Sequence, residues 1–151
     1  MDRNTKGILF LFFFKISSFF TSNVILSLLG MPMRIIYKVL FQWIFGIDIP
    51  DRLNVGKNFQ VYHGQGLIIH KDVIIGNNVR VRHNTTIGLA KNGGRCPVIG
   101  DNVDIGANSV IIGDIKIGSN SLIAAGSVVV KDVIENSMVA GNPAKVIKTI
   151  N

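Results

Sequence analysis

Three histidines and one cysteine are the side chains of this 151-residue chain that could move a proton or attack a carbonyl near neutral pH: His63, His70, His83 and Cys96. An imidazole titrates near neutrality, so it can serve as a general base, a hydrogen-bonding group or a metal ligand. A thiol attacks only as its thiolate, and no sequence neighbour of Cys96 would activate one, since Pro97 follows it. The chemistry therefore centres on the histidines, whose positions depend on the elements that carry them.

A six-residue repeat provides those elements. From Ile99 to Ile134 six hexapeptides follow one another, each opening on an aliphatic residue, with Val, Ser or Ile at the fifth position and Gly, Asn or Asp between. Units this short cannot bury an apolar face alone and are stable only when stacked on copies of themselves. The first and fifth side chains then point inward, and the small polar residues form corners. The pattern predicts a triangular parallel β-helix with three hexapeptides per coil.

Earlier repeats open at Ile49, Val55 and Val61, and the next opener, Ile69, comes two residues late. The slip falls on residues 63–66, where a bulge would re-aim a side chain and create a candidate site. With those two insertions His83 lies above His63, so the two rings should stack along one edge.

His70 replaces the glycine that usually follows an opener, and we interpret it as a surface corner residue. The hexapeptide pattern is lost again in residues 88–98, whose Gly-Gly and Pro predict an excursion loop. Loops on a rigid scaffold carry function more often than the scaffold does.

Composition limits the partners. The formal net charge is +7, and residues 1–45 carry five basic side chains against one acid. Nucleic-acid binding would need a basic stripe with interleaved aromatic residues, which the repeat region almost lacks, so no nucleic acid is expected. A single cysteine excludes an intrachain disulfide and fits a reducing cytosol. We expect a cytoplasmic protein.

Residues 1–46 are predicted to form a hydrophobic helical segment, since eight of the nine phenylalanines precede Asp48. A cap at residues 21–23 and Pro32 divide it. Its last helix carries one apolar stripe, formed by Ile35, Ile36, Val39, Leu40, Trp43 and Ile44. Polar residues within 16–33 disfavour a membrane span, and a lysine after residues 8–14 disfavours a signal peptide. A cap over the first coil is favoured, with peripheral contact of residues 7–45 with the inner face of the membrane as the alternative; both can hold together.

Several motifs carry a resemblance to a known family. They are Phe45-Gly46-Ile47-Asp48-Ile49, Tyr62-His63-Gly64, Thr86-Ile87-Gly88, Arg95-Cys96-Pro97, Ala125-Gly126-Ser127-Val128-Val129 and Gly141-Asn142-Pro143-Ala144-Lys145. With them, residues 46–148 resemble the catalytic domain of hexapeptide-repeat serine acetyltransferases and, more closely, the colanic acid and capsular polysaccharide O-acetyltransferases of that branch. The resemblance implies an all-β fold, a left-handed parallel β-helix over residues 47–151, in a homotrimeric acyltransferase that uses acetyl-coenzyme A.

By that resemblance His63 is the general base, and Asp48, fifteen residues earlier and about one coil below, is the carboxylate that orients it. An imidazole can take the proton of an alcohol as that alcohol attacks a thioester, and a carboxylate on the other ring nitrogen fixes the tautomer. Transfer is then direct, in a ternary complex without an acyl-enzyme. His83 is interpreted either as a residue that binds the acceptor or the thioester, or as a structural residue.

The resemblance also implies that coenzyme A lies in the groove between subunits, held by backbone amides at small residues along a prism edge. The matching positions are Gly88, Ala107 and Ala125, and Lys131 and Lys145 would contact its phosphates. No metal is expected: three histidines on a trimeric β-helix raise the zinc site of γ-class carbonic anhydrases, but the closely spaced histidine pair of such a site is missing.

Two departures from serine acetyltransferases bear on the acceptor. Tyr62 stands where they have an aspartate that holds the amine of serine, and Cys96 follows the loop arginine, Arg95, where they have a histidine. A tyrosine offers a flat face and a hydroxyl, which suits a sugar, and Arg95 would contact an anionic group or a neighbouring subunit.

We therefore expect Tyr62, His83, Arg95 and Cys96 around a sugar hydroxyl of a surface polysaccharide or its precursor. L-serine is the alternative acceptor. A non-catalytic β-helix that binds or scaffolds is the alternative of another class.

Overall fold

The computed structural model describes residues 4–150, which form a triangular β-solenoid of about five turns preceded by short helices. Three sheets form its sides. The strands of the first side are β1 (Ile47–Asp48), β4 (Leu67–Ile69), β7 (Thr86–Gly88), β10 (Val110–Ile112) and β13 (Val128–Val129). The strands of the second side are β2 (Asn54–Val55), β5 (Ile74–Ile75), β8 (Val98–Ile99) and β11 (Lys116–Ile117). The strands of the third side are β3 (Gln60–Tyr62), β6 (Arg80–Arg82), β9 (Asp104–Ile105), β12 (Leu122–Ile123), β14 (Ser137–Gly141) and β15 (Ala144–Thr149).

This is the left-handed parallel β-helix that the sequence predicts. From Val61 to Val129 every repeat opener points inward and is buried, and the fifth residues from Val103 to Val133 are buried beside them. Serines at the fifth position are satisfied by nearby carbonyls; Ser109 Oγ, for example, donates to Gly106 O at 2.8 Å. The predictions for residues 1–3 and 151 lie outside the described residues.

Asparagine builds the corner between the second and third sides. Five asparagines there adopt positive φ and hydrogen-bond to one another, amide to amide, from coil to coil: Asn58, Asn78, Asn102, Asn120 and Asn136. Asparagine enters the left-handed region more readily than most other side chains, so the turn costs little at these positions.

The pairing registers follow the deviations from the repeat. Val61 pairs with Val81, twenty residues later, as the slip predicts. Val81 pairs with Ile105, 24 residues later. The excursion loop takes the place of one hexapeptide in this coil and is six residues longer than a hexapeptide.

The C-terminal end departs from the predicted regular repeat. Val133 pairs with Ile117, only sixteen residues earlier, so the last predicted hexapeptide, 129–134, is two residues short. Strand β15 then returns antiparallel to β14, with Lys145 opposite Ala140, rather than starting another coil.

Three helices and a π-helical segment precede the solenoid: α1 (Thr5–Phe19), α2 (Val24–Leu29), α3 (Met31–Tyr37) and the π-helical Lys38–Ile44. Asparagine side chains cap the first two, because Asn4 accepts from Gly7 N and Asn23 from Leu26 N.

An aromatic cluster joins these helices to the first coil. Phe10, Phe14, Tyr37 and Phe41 are buried against one another and belong to the same core as the prism. The Tyr37 hydroxyl donates to Ile49 O at 2.6 Å, and burial raises the pKa of that hydroxyl, so it remains a protonated donor. The helices therefore cover the open end of the β-helix core.

The predicted apolar stripe of the last helix does not form this contact. Five of its six residues are exposed, namely Ile35, Ile36, Val39, Trp43 and Ile44. The buried positions are instead Tyr37 and Phe41. A π-helical turn, in which Phe45 N donates to Leu40 O, widens the helix and changes its side-chain phase.

Candidate active site

His63 follows β3 with a left-handed backbone, at φ 67°. Among residues 4–150, eight residues other than glycine have positive φ: His63 and seven asparagines. Histidine thus occupies a conformation that this fold otherwise gives to asparagine or glycine. Strain of this kind persists where the surroundings enforce it, and it is concentrated at functional sites.

The ring of His83 lies against that of His63, as the sequence predicts. Their centroids are 5.8 Å apart, with the planes at 77°. The Nδ1 atom of His83 is buried and has no hydrogen-bond partner in the described part of the chain. A buried polar atom without a partner is costly, so this nitrogen is suited to a group that the single protomer does not supply.

The start of α1 lies beside His63. The Asn4 side chain donates to Val61 O and accepts from His63 N at 3.5 Å. A cavity of about 30 Å³ adjoins the imidazole and is lined by Lys6, Leu9, Phe41, Phe45, Ile47, His63 and Gln65. The helical segment therefore forms part of the surroundings of this histidine, a role that sequence reasoning did not assign to it.

Asp48 lies in β1 with its side chain exposed on the first side of the prism. It lines a groove of about 440 Å³ together with His70, Lys71, Gly88 and Leu89. No hydrogen bond or ion pair joins Asp48 to His63 within residues 4–150, so their pairing stays a prediction.

The sequence suggested that His70 is a surface corner residue, but its side chain also makes a contact inside the structure. It is half-buried, and its Nδ1 lies 3.1 Å from Cys96 Sγ. There is room for it because Gly88 has no side chain; a Cβ on Gly88 would come within 3.3 Å of His70 Cβ. The contact fixes the end of the excursion loop to the prism.

Cys96 is buried, and this burial, with the nearby charge of Asp72, raises the pKa of its thiol. A raised pKa lowers the fraction of thiolate, which is the nucleophilic form of a cysteine. Arg95, the other predicted loop residue, is exposed and lies 3.8 Å from the exposed Asp114.

Two polar residues that the sequence analysis missed, Arg82 and Asp104, lie on the third side beside the histidines. The Arg82 guanidinium lies 5.9 Å from the ring centroid of Tyr62 and is paired with Asp104. The Tyr62 hydroxyl bonds to Gln60 Oε1 at 3.2 Å. Arg82 and Asp104 stand at outward strand positions on adjacent coils, and this alternation was the available signal.

The predicted coenzyme positions divide between two edges of the prism. Ala107 and Ala125 follow β9 and β12, so they continue the edge that carries His63 and His83. Gly88 ends β7 and Lys131 follows β13, which puts both at the next edge. Lys145 lies on β15 and is exposed. One protomer therefore does not assemble these residues along a single edge.

Within the described residues, 4–150, no group of three or more His, Cys, Asp or Glu side chains is arranged to hold a metal ion.

Comparison with known proteins gives a consistent set of relatives. A family model described as bacterial transferase hexapeptide (six repeats) matches residues 96–131. WcaB of Escherichia coli K12, named as a colanic acid biosynthesis acetyltransferase, is 37% identical over 125 residues, which are 82% of this chain and 77% of that protein. Serine acetyltransferase 4 of Arabidopsis thaliana is 46% identical over 106 residues, 69% of this chain but 30% of the plant protein.

The likeness extends to three dimensions. The crystal structure of the Brucella abortus serine acetyltransferase in complex with coenzyme A superposes with a TM-score of 0.82 and 29% identity, covering 97% of this chain. This chain spans 57% of that structure's length. The match includes the helical segment as well as the β-helix.

Proposed function

Since this chain belongs to the hexapeptide-repeat transferase family and is an acetyltransferase of it, we propose that it transfers the acetyl group of acetyl-coenzyme A to a sugar hydroxyl of a surface polysaccharide or its precursor. His63 is the general base of this reaction. The observation that carries the assignment is the left-handed backbone of His63 at a position where the fold otherwise uses asparagine or glycine.

The proposed step needs one base and no covalent enzyme intermediate. His63 takes the hydroxyl proton while the oxygen bonds to the thioester carbonyl carbon. The tetrahedral intermediate then collapses, the carbon–sulfur bond breaks, and the coenzyme A thiolate takes the proton from the imidazolium. One ester and one free thiol result. The burial of Cys96, which raises the pKa of its thiol, supports direct transfer over an acyl-cysteine.

His83 and Asp48 assist this base in the proposal. The buried, unpartnered Nδ1 of His83 is available to hydrogen-bond the acceptor hydroxyl or the thioester oxygen. Asp48 orients the His63 ring and stabilises the imidazolium. For this role the two side chains must come closer together than they do in the single protomer.

Coenzyme A is proposed to bind in a groove between protomers of a homotrimer. Ala107 and Ala125 would let the pantetheine arm approach the edge that carries both histidines. Gly88 and Lys131 of the neighbouring edge would face it from another protomer, with Lys131 and Lys145 near the phosphates. The separation of these residues over two edges supports a site shared between protomers.

The acceptor is inferred from Tyr62. It stands beside His63, with one face near the Arg82 guanidinium and its hydroxyl on Gln60. Tyrosine provides no carboxylate for the amine of an amino acid, whereas a hydroxyl and a ring edge suit a sugar. The relation to WcaB, a protein named for colanic acid biosynthesis, supports the same acceptor class.

L-serine is the second candidate acceptor, and a specific observation favours it. The Arabidopsis relative is named a serine acetyltransferase and has the higher identity, 46%, over the part that it shares with this chain. In this reading, Tyr62 and Cys96 are tolerated changes, and the loop residue Arg95 would bind the serine carboxylate.

The test measures coenzyme A release with L-serine and with surface oligosaccharides as acceptors. We expect an oligosaccharide to accelerate release at least about tenfold over L-serine. Tyr62→Asp should raise the rate with serine by supplying an amine partner, and Tyr62→Phe, the matched control, should not. Fast serine-dependent release by the unaltered protein would instead establish the second candidate.

A further inference from the structure

The helical segment exposes an apolar surface that the prism does not cover. It consists of the exposed large side chains of the helices, here called the apolar helix face: Ile8, Leu9, Phe12, Phe19, Val24, Ile25, Leu28, Leu29, Met31, Ile35, Ile36, Val39, Trp43, Ile44 and Phe45. Trp43 is 84% exposed and Ile25 72%. Helix α2 has no buried residue at all. Exposed apolar side chains concentrated in one segment in this way point to an interaction site.

Helix α1 separates this face from the one that packs on the prism. In α1 the buried residues are Gly7, Phe10, Phe14 and Ser17, at steps of three or four. Phe12 and Phe19 lie on the other side, with Lys15 between them at helical spacing. Helix α1 already buries one full stripe of side chains against the prism. Its exposed apolar residues therefore form a second, separate face.

The charged side chains of the helical segment itself are all of one sign. Residues 4–45 contain four basic side chains and no acidic one. Arg34 is neutralised by Asp51, with Arg34 Nε 2.7 Å from Asp51 Oδ2. Lys6, Lys15 and Lys38 are exposed, and no ion pair involves them in the described part of the chain. An anionic surface complements this set, whereas a symmetric contact with a second copy would bring like charges together.

We propose that the apolar helix face binds the surface of an anionic lipid bilayer. Phenylalanine and tryptophan would enter the boundary between headgroups and acyl chains, and the lysine stems would extend to the lipid phosphates. The helices lie on the bilayer surface in this arrangement. Within residues 4–150 no helix is long and apolar enough to cross a membrane.

Docking would bring the proposed catalytic site close to the membrane surface. This step rests on the proposed function. Leu9 and Phe45 belong to the apolar helix face and also line the cavity beside His63. Docking would therefore place His63 at the margin of the lipid surface. An acceptor sugar carried on a lipid would reach the base there without leaving the membrane.

Trp43 reports on the docking because it is the only tryptophan in the sequence. The full chain is mixed with phosphatidylcholine vesicles, with or without phosphatidylglycerol. We expect a shift of Trp43 emission to shorter wavelength and its quenching by brominated lipids, with binding about tenfold or more weaker when the anionic lipid is omitted or salt is raised.

A matched pair of double variants distinguishes binding through the apolar helix face from nonspecific binding of the protein to vesicles. Ile25→Ser with Lys38→Glu should lower vesicle binding about tenfold or more. Ile134→Ser with Lys116→Glu makes the same changes on the prism, where Ile134 is 67% exposed and Lys116 is also exposed, and should leave vesicle binding unchanged.

Three results would overturn the inference: equal loss in both double variants, no lipid quenching of Trp43, or dissociation of an oligomer by the helix variant, which would assign the face to a second copy. Vesicle binding and acetyl transfer to a water-soluble acceptor are measured separately. If the unaltered protein transferred acetyl groups but did not bind vesicles, the docking would be refuted and the proposed function would stand.

Discussion

His63→Asn is expected to lower acetyl transfer about 10²- to 10⁴-fold while the protein stays folded, because the general base is lost. Asparagine cannot take the proton, but it fits the left-handed backbone that seven other asparagines adopt in this chain. The free energy of unfolding should therefore stay the same or rise by up to about 1 kcal/mol. Loss of function without loss of stability is the outcome that distinguishes a catalytic histidine from a corner residue.

The reverse exchange provides the control. Asn136→His puts histidine into a left-handed corner, at φ 56°, on another edge. We expect a lower melting temperature and unchanged turnover. Coenzyme A release is measured for both variants, and binding of coenzyme A shows that the site is still formed. If His63→Asn kept the wild-type rate, or lost the fold together with the rate, the base assignment would fail.

Gly106→Ala is expected to destabilise the β-helix by about 3 kcal/mol or more, because a side chain cannot fit between the coils. A Cβ there would lie 2.4 Å from Ala125 N and 2.7 Å from Ala125 Cα. These are backbone atoms of the next coil, held by the bond from Gly106 N to Ile123 O at 2.8 Å. The strands would have to separate to admit a methyl group.

Gly126→Ala is the matched control one coil further along the same edge. Its Cβ would meet no atom within 4 Å, but its φ is 73°, so we expect only the left-handed penalty of about 1–2 kcal/mol. Denaturant unfolding of both variants gives the comparison. A Gly106→Ala protein as stable as the Gly126→Ala protein would show that coil spacing adapts.

The β-helix could be predicted because one residue pattern determines both burial and register. Each opener stacks on the opener of the next coil, so the slip at residues 63–66 and the loop at 88–98 were also readable as changes of step. The shortened last coil could not be predicted from the sequence, because Val133 suits either the fifth or the first position of a repeat. Whether its strand pairs with Ile115 or Ile117 depends on the closing hairpin, which no short-range pattern encodes.

The helical segment shows another limit. Two apolar stripes overlap there, and the sequence does not say which packs on the prism. Tyr37 and Phe41 do so because Phe10 and Phe14 of α1 meet them and the Tyr37 hydroxyl reaches Ile49 O. The exposed stripe then becomes the apolar helix face.

At the candidate site, the contact of His63 with His83 followed from counting coils. The contact of His70 with Cys96 could not be predicted, since it depends on the path of the excursion loop. The relation of Asp48 to His63 depends on side-chain directions at a bulge, where the repeat gives no guidance.

A labelled acetyl group shows directly whether transfer passes through the protein. The protein is incubated with acetyl-labelled coenzyme A thioester and an oligosaccharide acceptor, and the label is located by mass spectrometry. Direct transfer with His63 as the base predicts label as an ester on the sugar, one free coenzyme A for each ester, and an unlabelled protein. Label on Cys96 or on a histidine, or acetate as the only product with every hydroxyl acceptor, would contradict direct transfer by a histidine base.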